Sequence, residues 1–299
     1  MVSKEVLPVR VLSHTVPAAQ DGHTVKELLR SLWHISGSLL SRLKFRGAIT
    51  VNGAAVTVNH VLHTGDLLQA DVSDLPGENP HILPVDYPLT VLYEDEDLLL
   101  IDKPAGIAVH PAALTEETAT IAGAVAHYLQ SDSFHAVNRL DRGTTGVMAV
   151  AKTGFVHARC MTLLHTDDFR RDYRAVCDGV PPQSSGDIDL PLGRAEGSLL
   201  KRRPDPAGQP AHTHYEVLET AHGRALLRLT PTTGRTHQLR VHMAAIGCPL
   251  TGDWLYGTED KTLIPRPALH SYHLRMRHPV TGAVIDVTAP LPADMRRLL

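Results

Sequence analysis

One acidic side chain set between two fixed cations is the feature of this chain best suited to chemistry. In H-A-V-N-R-L-D-R-G-T-T-G-V-M-A-V-A-K-T, residues 135–153, Asp141 follows Arg139 by two positions and directly precedes Arg142. The three lie on a polar turn with two glycines that leads into an apolar strand, the setting in which a rigid sheet presents a reactive group. A carboxylate there can serve catalysis or close a surface ion pair, and the residue types alone leave both open. Other chemistries find less support. Among 19 histidines, the pairs His212-x-His214 and His237 with His242 lack the spacing and nearby acid of an H-E-x-x-H zinc site, so they read as histidines satisfied by backbone or solvent. A Walker loop and a Gly-x-Ser-x-Gly elbow are both absent from the sequence. Cys160, Cys177 and Cys248 are odd in number and far apart, which fits reduced thiols.

Composition narrows the frame around that turn. With 299 residues, 43% of them hydrophobic, the chain has the length of about two domains and apolar material for a large core, which excludes a disordered chain. Lys plus Arg number 29 against 32 for Asp plus Glu, a formal charge of -3, so any nucleic-acid contact has to be a local basic patch. Aromatic residues make up only 4%, too few for a broad base-stacking platform. No segment has the apolar run of a secretory signal or a membrane span, and the expectation is a soluble, cytoplasmic protein with no membrane partner.

The elements that must hold the turn fall into two groups. Val9 to Leu12 reads as a strand, Thr24 caps a helix carrying Val25, Leu28, Leu29 and Leu32, and Ser36 caps a second with Leu39, Leu40 and Leu43 on its apolar face. Gly47 is placed to end that helix, and Arg42, Lys44 and Arg46 fall on its solvent side. Ala48 to Asn52 and Ala54 to Thr57 flank the hairpin dipeptide Asn52-Gly53, and Leu67 to Val72 adds a strand. Residues 73–88, with five Pro or Gly, read as a linker. Beyond it, short strands dominate: Leu89 to Tyr93, Leu98 to Asp102, Val147 to Ala151, Tyr173 to Cys177, His214 to Leu218, Ala225 to Leu229, Ser271 to Met276 and Val284 to Val287. Helical patterns at Ile121 to Leu129, Gly154 to His165 and Thr236 to Ile246 interrupt them, which predicts an α+β chain with a mixed, mainly antiparallel sheet at its centre.

The segment around Asp141 resembles the H-R-L-D-x-x-T-S-G signature of the RluA family of pseudouridine synthases, with Asp141 on the family's catalytic aspartate. Three more segments match in order: Ile101 to Pro111 (I-D-K-P-A-G-I-A-V-H-P), Arg170 to Gly179 (R-R-D-Y-R-A-V-C-D-G) and Thr233 to Gly257 (T-G-R-T-H-Q-L-R-V-H-M-A-A-I-G-C-P-L-T-G-D-W-L-Y-G). Asn138, Thr145 and Arg171 stand where the family usually has His, Ser and Lys. Residues 9–72 resemble the RNA-binding fold named after ribosomal protein S-four. The organisation implied is an S-four-type domain over 9–72, a linker over 73–88 and a catalytic domain over 89–299.

What the resemblance implies is isomerisation of uridine in ribosomal or transfer RNA by a monomer needing no cofactor and no metal. The base leaves its stack to enter a pocket. Arg139 would fill the gap left in the RNA, Asp141 would attack C1′ or C6, and Arg235 would keep Asp141 ionised by direct pairing. Tyr173 would pack on the base and take or relay the C5 proton, Leu239 would line the pocket, and Lys103 and Pro104 would shape a neighbouring loop. Arg42, Lys44 and Arg46 would contact RNA. Two other classes fit parts of the sequence: a catalytically dead RNA-binding relative, and a metal-dependent hydrolase using the histidines.

Overall fold

The computed structural model describes residues 9–75, 81–111, 119–131, 133–164 and 166–299. Pro76, Gly77 and Pro80 of the expected linker, and His165 at the expected helix end, lie outside the described residues.

Residues 9–75 contain β1 (Val11–Thr15), α1 (Val25–Ser31), α2 (Gly37–Arg46), β2 (Ile49–Val51), β3 (Ala54–Ala55) and β4 (Leu67–Asp71), with the strands in the order β1-β4-β2-β3. Local chemistry sets the ends. Thr24 and Glu27 close a reciprocal capping box at the start of α1, and the Ser36 hydroxyl accepts the Leu39 amide at the start of α2. Gly47 ends α2 at φ 63°, and Asn52 and Gly53, at φ 50° and 81°, make the tight turn between β2 and β3.

The remainder carries β5 (Thr90–Glu94), β6 (Leu98–Lys103), α3 (Ile121–Leu129), β7 (His135–Ala136), β8 (Thr145–Ala151), α4 (Gly154–Leu163) and β9 (Phe169–Asp178). Then follow β10 (Ser185–Asp189), β11 (Leu192–Arg194), β12 (Arg202–Pro204), β13 (His212–Ala221), β14 (Arg224–Pro231), α5 (Gln238–Ala245), β15 (Leu269–Arg277), β16 (Val284–Thr288) and α6 (Ala293–Arg296). The long sheet runs β10-β13-β14-β9-β15-β8-β6-β5, with β16 beside β15, β7 beside β8, and a separate β11-β12 pair. Every pairing in it is antiparallel except β15 with β8, so the fold is α+β and its sheet is mixed but mainly antiparallel.

Central strands bury both faces. Leu98 and Leu100 of β6 and Val147 of β8 join one apolar cluster with Leu28, Leu43 and Leu68, while Leu99, Ile101, Met148 and Val150 join another with Tyr173, Leu227, Leu239 and Met243. The first cluster fastens the N-terminal sheet and helices to the large sheet. Arg10 adds a bidentate pair to the buried carboxylate of Asp97 at 2.7 and 2.9 Å, and Asp74 accepts the Gly154 amide at 2.9 Å and binds His135 at 2.7 Å. Asp74 lies within the expected linker, so that segment is tied to the large sheet at its described start.

Candidate active site

A cavity of about 540 Å³, the size of a small-molecule site, opens where the turn before β8, strand β9 and the start of α5 converge. Arg139, Asp141, Arg171, Tyr173, Arg235, His237, Leu239 and Arg240 all line it.

The turn that carries Asp141 is held carbonyl by carbonyl. The Asp141 carbonyl accepts the Thr144 amide at 3.0 Å, and that of Arg142 accepts the Gly106 amide at 3.0 Å and Lys103 Nζ at 3.1 Å. Gly143 O takes Arg266 Nη1 at 3.2 Å, and Thr144 O takes Lys103 Nζ at 3.0 Å. Lys103 is wholly buried, and its third donor goes to Pro104 O at 2.9 Å. Burial lowers its pKa to about 8, against the pull of Asp141 upward. Asn138 fastens the approach to the turn, because its side chain accepts the Ala149 amide at 2.8 Å. Thr145 binds buried His270 at 2.8 Å. Gly146 sits at φ 104°, and a Cβ there would fall 2.1 Å from Ser271 O, so only glycine lets β8 lie this close to β15.

Asp141 is about a third exposed, and its Oδ2 lies 3.5 Å from Arg240 Nη1 and 3.9 Å from His237 Nε2. The resemblance assigns the pairing role to Arg235. The structure gives it to Arg240, whereas Arg235 donates from Nε to Pro210 O at 3.1 Å on the turn before α5. The two arginines differ in where they stand: Arg235 lies on the turn before α5, two residues ahead of its N-cap His237, whereas Arg240 lies within the helix and is buried. Arg240 is itself aimed by a bidentate pair with fully buried Asp253, both contacts 2.7 Å, and its guanidinium stacks on the Tyr256 ring with 5.0 Å to the centroid.

His237, a poor metal ligand by its spacing, faces the carboxylate. It holds a left-handed backbone at φ 57°, a strained state for a non-glycine residue of the kind that gathers at functional sites. Its Nδ1 lies 2.9 Å from the Tyr256 hydroxyl, which already accepts the Arg202 amide at 2.8 Å. A neutral ring that accepts the hydroxyl proton at Nδ1 carries its own proton on Nε2, facing Asp141. Burial pushes the His237 pKa down, against Asp141 pulling it up, which favours this neutral ring. A partial signal for this pair is present in the sequence, since His237 and Arg240 stand only three residues apart in the T-G-R-T-H-Q-L-R segment. Choosing Arg240 over Arg235 needs the exact helix start.

Tyr173 is buried in β9. Its phenol pKa is raised by burial and by Asp141, opposed by Arg171 and by a bond to Ser271, so the hydroxyl stays neutral at ordinary pH. Leu239 is buried on the cavity side of α5, and Arg139 stands exposed at the rim. On α2, Arg42 and Lys44 are exposed, but the Arg46 guanidinium is turned back to Ser73 O at 2.9 Å and towards Asp71 at 3.8 Å. Among the described residues no three His, Cys, Asp or Glu side chains gather as a metal site, and His212 and His214 pair with Asp189 and Asp187. No helix among them is long and apolar enough to cross a membrane.

Comparison with known proteins gives the cavity its context. Residues 97–245 match the RNA pseudouridylate synthase family and residues 12–68 match the RluD ribosomal pseudouridine synthase N-terminal domain. A Bacillus subtilis protein named Uncharacterized RNA pseudouridine synthase YjbO is 39% identical over 282 residues, 92% of this chain and 98% of its own. Ribosomal large subunit pseudouridine synthase D of Pseudomonas aeruginosa is 36% identical over 304 residues, 95% of this chain and 93% of its own. Human RNA Pseudouridylate Synthase Domain Containing 4 superimposes with a TM-score of 0.55 at 25% identity, covering 70% of this chain and 90% of its own. Two family matches in series and relatives that align from end to end place this chain among the RNA pseudouridine synthases of the RluA family.

Proposed function

We propose that this RNA pseudouridine synthase acts on uridine in large-subunit ribosomal RNA, with Asp141 as nucleophile, Arg240 as its ion-pair partner and Tyr173 against the base. The observation that carries the residue roles is the Asp141–Arg240–Asp253 chain at the cavity floor. The choice of RNA is supported by end-to-end similarity to a protein named for the large ribosomal subunit. Mapping pseudouridine across all cellular RNA, with and without the gene, tests it: loss of a large-subunit site is expected, and loss confined to transfer RNA would overturn the choice.

Isomerisation breaks N1–C1′, turns the uracil and joins C1′ to C5, after which C5 must lose a proton. Arg139, exposed at the rim, is placed to occupy the gap left by the extruded base. Leu239 offers an apolar wall. Tyr173, neutral through burial, suits relay of the C5 proton through its hydroxyl better than abstraction by a phenolate. Tyr173→Phe is expected to leave RNA affinity within a few-fold while turnover falls about 100-fold. Release of tritium from uracil C5 checks this, and near-parental release would assign the proton to another group.

Residues 9–72 then serve as an RNA-binding domain ahead of a linker over 73–88 and a catalytic domain over 89–299. Phe45, 90% exposed between Lys44 and Arg46, adds a stacking surface to the basic side of α2. Because Arg46 is committed to Ser73, the informative variant is Arg42→Ala with Lys44→Ala. It should flatten the log–log salt dependence of RNA binding by about 0.7 per phosphate released on single-stranded RNA, with turnover at saturation little changed. An unchanged slope would remove α2 from the RNA interface.

Lys103 sets a pH limit. Above about 8 it loses its proton and keeps two donors for three carbonyls, so turnover at saturating RNA should fall on an alkaline limb near that pH. Its folded pKa lies below the ordinary value of 10.5, so the unfolded chain binds more protons between the two, and this group's effect on stability becomes more favourable as pH rises from 8 to 10.5. Activity and this stability increment therefore move in opposite directions. An activity profile flat to about pH 10 would show that the turn does not need the charge.

A further inference from the structure

The cavity around Asp141 adjoins a second one. About 440 Å³ in volume, it shares Arg235 and Thr236 with the first and is walled on its far side by Arg194, Arg202, Gly193 and Gly208. Three arginines thus line this one concave space, with no acidic residue among the described residues of its wall. Arg194 and Arg202 are moreover direct cross-strand partners in the β11–β12 pair. Like charges facing each other on a two-stranded ladder oppose the pairing, and a free-standing pair of such short strands has little else to hold it. None of the three forms an ion pair with a carboxylate among the described residues. The nearby acid, Asp205, is taken up by Arg203 at 3.3 Å and by the Ala207 amide at 3.0 Å. One terminal nitrogen of Arg202 is buried without a hydrogen-bond partner among the described residues, which leaves that guanidinium incompletely satisfied by them. The loop wall is close-packed backbone: a Cβ at Gly208 would fall 2.4 Å from the Leu192 carbonyl carbon, so no side chain fills this side.

We propose that this second cavity is an anion subsite that holds a backbone phosphate of the RNA beside the uridine seated over Asp141. The inference rests on the reading above that RNA enters the larger cavity. Arg235, on the wall common to both, would then bridge the reacting nucleotide and its neighbour's phosphate, which gives it a role distinct from pairing with Asp141. A phosphate contact of this kind is the same before and during the chemical step, so it acts on affinity and not on the turnover of bound RNA.

The test uses the full chain and two probes: a labelled single-stranded RNA of mixed sequence, and a large-subunit ribosomal RNA transcript carrying tritium at uracil C5. Arg194→Gln is the variant safest for folding, since Arg194 is exposed, and Arg194→Gln with Arg202→Gln removes both facing charges. The double variant should raise KM about tenfold with kcat within twofold of the parent, and lower the salt slope of binding by about 0.7 for each phosphate no longer held. Replacing both by Lys should restore the slope but only part of the affinity, because a point charge lacks the guanidinium fork. Inorganic phosphate titrated at constant ionic strength should compete at this site, weakening RNA binding by the parent no further than to the affinity of the double variant and leaving that variant unaffected, whereas an equal effect of phosphate on both proteins would overturn the proposal. Parental KM and slope in Arg194→Gln and in the folded double variant would overturn it too. A parent that releases tritium but shows no such dependence loses only the subsite, while a parent that releases none loses the reading on which the subsite rests.

Discussion

Asp141→Asn is expected to bind RNA within about tenfold of the parent, roughly 1.4 kcal/mol, while pseudouridine formation falls by several orders of magnitude. The substitution keeps size and hydrogen-bonding shape but removes the charge that faces Arg240 at 3.5 Å, and it leaves the backbone bonds of the turn in place. Asp141→Ala is its companion, because it cannot regain a carboxylate by deamidation. Deleting the carboxylate also leaves Arg240 with one less anion to balance it, and that freed positive charge favours RNA and offsets part of any weakening. Single-turnover release of tritium from uracil C5 is the readout, and release by either variant above a few per cent of the parental rate would take Asp141 out of the chemistry.

Arg240→Gln should be the second most damaging change, and it should act twice. Asp253 is fully buried and bound to Arg240 through two 2.7 Å contacts, with the Leu255 and Tyr256 amides, at 3.0 and 3.2 Å, as its further donors among the described residues. Removing the cation strands that carboxylate, at about 3–5 kcal/mol of stability. Turnover should also drop at least about 100-fold, as Asp141 loses the cation that balances its charge. Asp253→Asn separates the two effects, because Arg240 stays charged and keeps a hydrogen-bond acceptor. It should lose less stability and show an intermediate turnover. Arg235→Gln should instead raise KM with kcat largely kept. Chemical or thermal denaturation together with kcat and KM checks all three, and a collapse of kcat in Arg235→Gln matching that in Arg240→Gln would restore Arg235 to the carboxylate.

Much of the scaffold is legible in the sequence because its signals are local. Caps at Thr24 and Ser36, the turn at Asn52-Gly53 and the helix at Ile121–Leu129 all follow from neighbouring residues. The strands β7, β10, β11 and β12 escape such a reading, being two to five residues long and mostly polar, so that no alternation of burial marks them. Asp141, Tyr173 and Leu239 can be singled out from ordered motifs, and all three line one cavity. The partner of Asp141 cannot, because Arg235 and Arg240 belong to the same short segment and both line the cavity, and only the true helix start places Arg240 on α5 beside Asp141 and Arg235 on the turn before it. Asp253, Tyr256 and Lys103 act through contacts many residues distant in sequence, and their burial is a property of the folded sheet.

The four bonded carbonyls of the Asp141 turn carry a consequence for how substrate is taken up. A loop that must become ordered on binding gives up backbone entropy of about 1–2 kcal/mol per residue at that moment. Here residues 141–144 have already lost that freedom when the chain folds, because Lys103, Gly106 and Arg266 hold them from three sides. The site is preorganised, so free energy gained along the RNA remains available for unstacking the target base, and the reshaping on encounter falls on the nucleic acid.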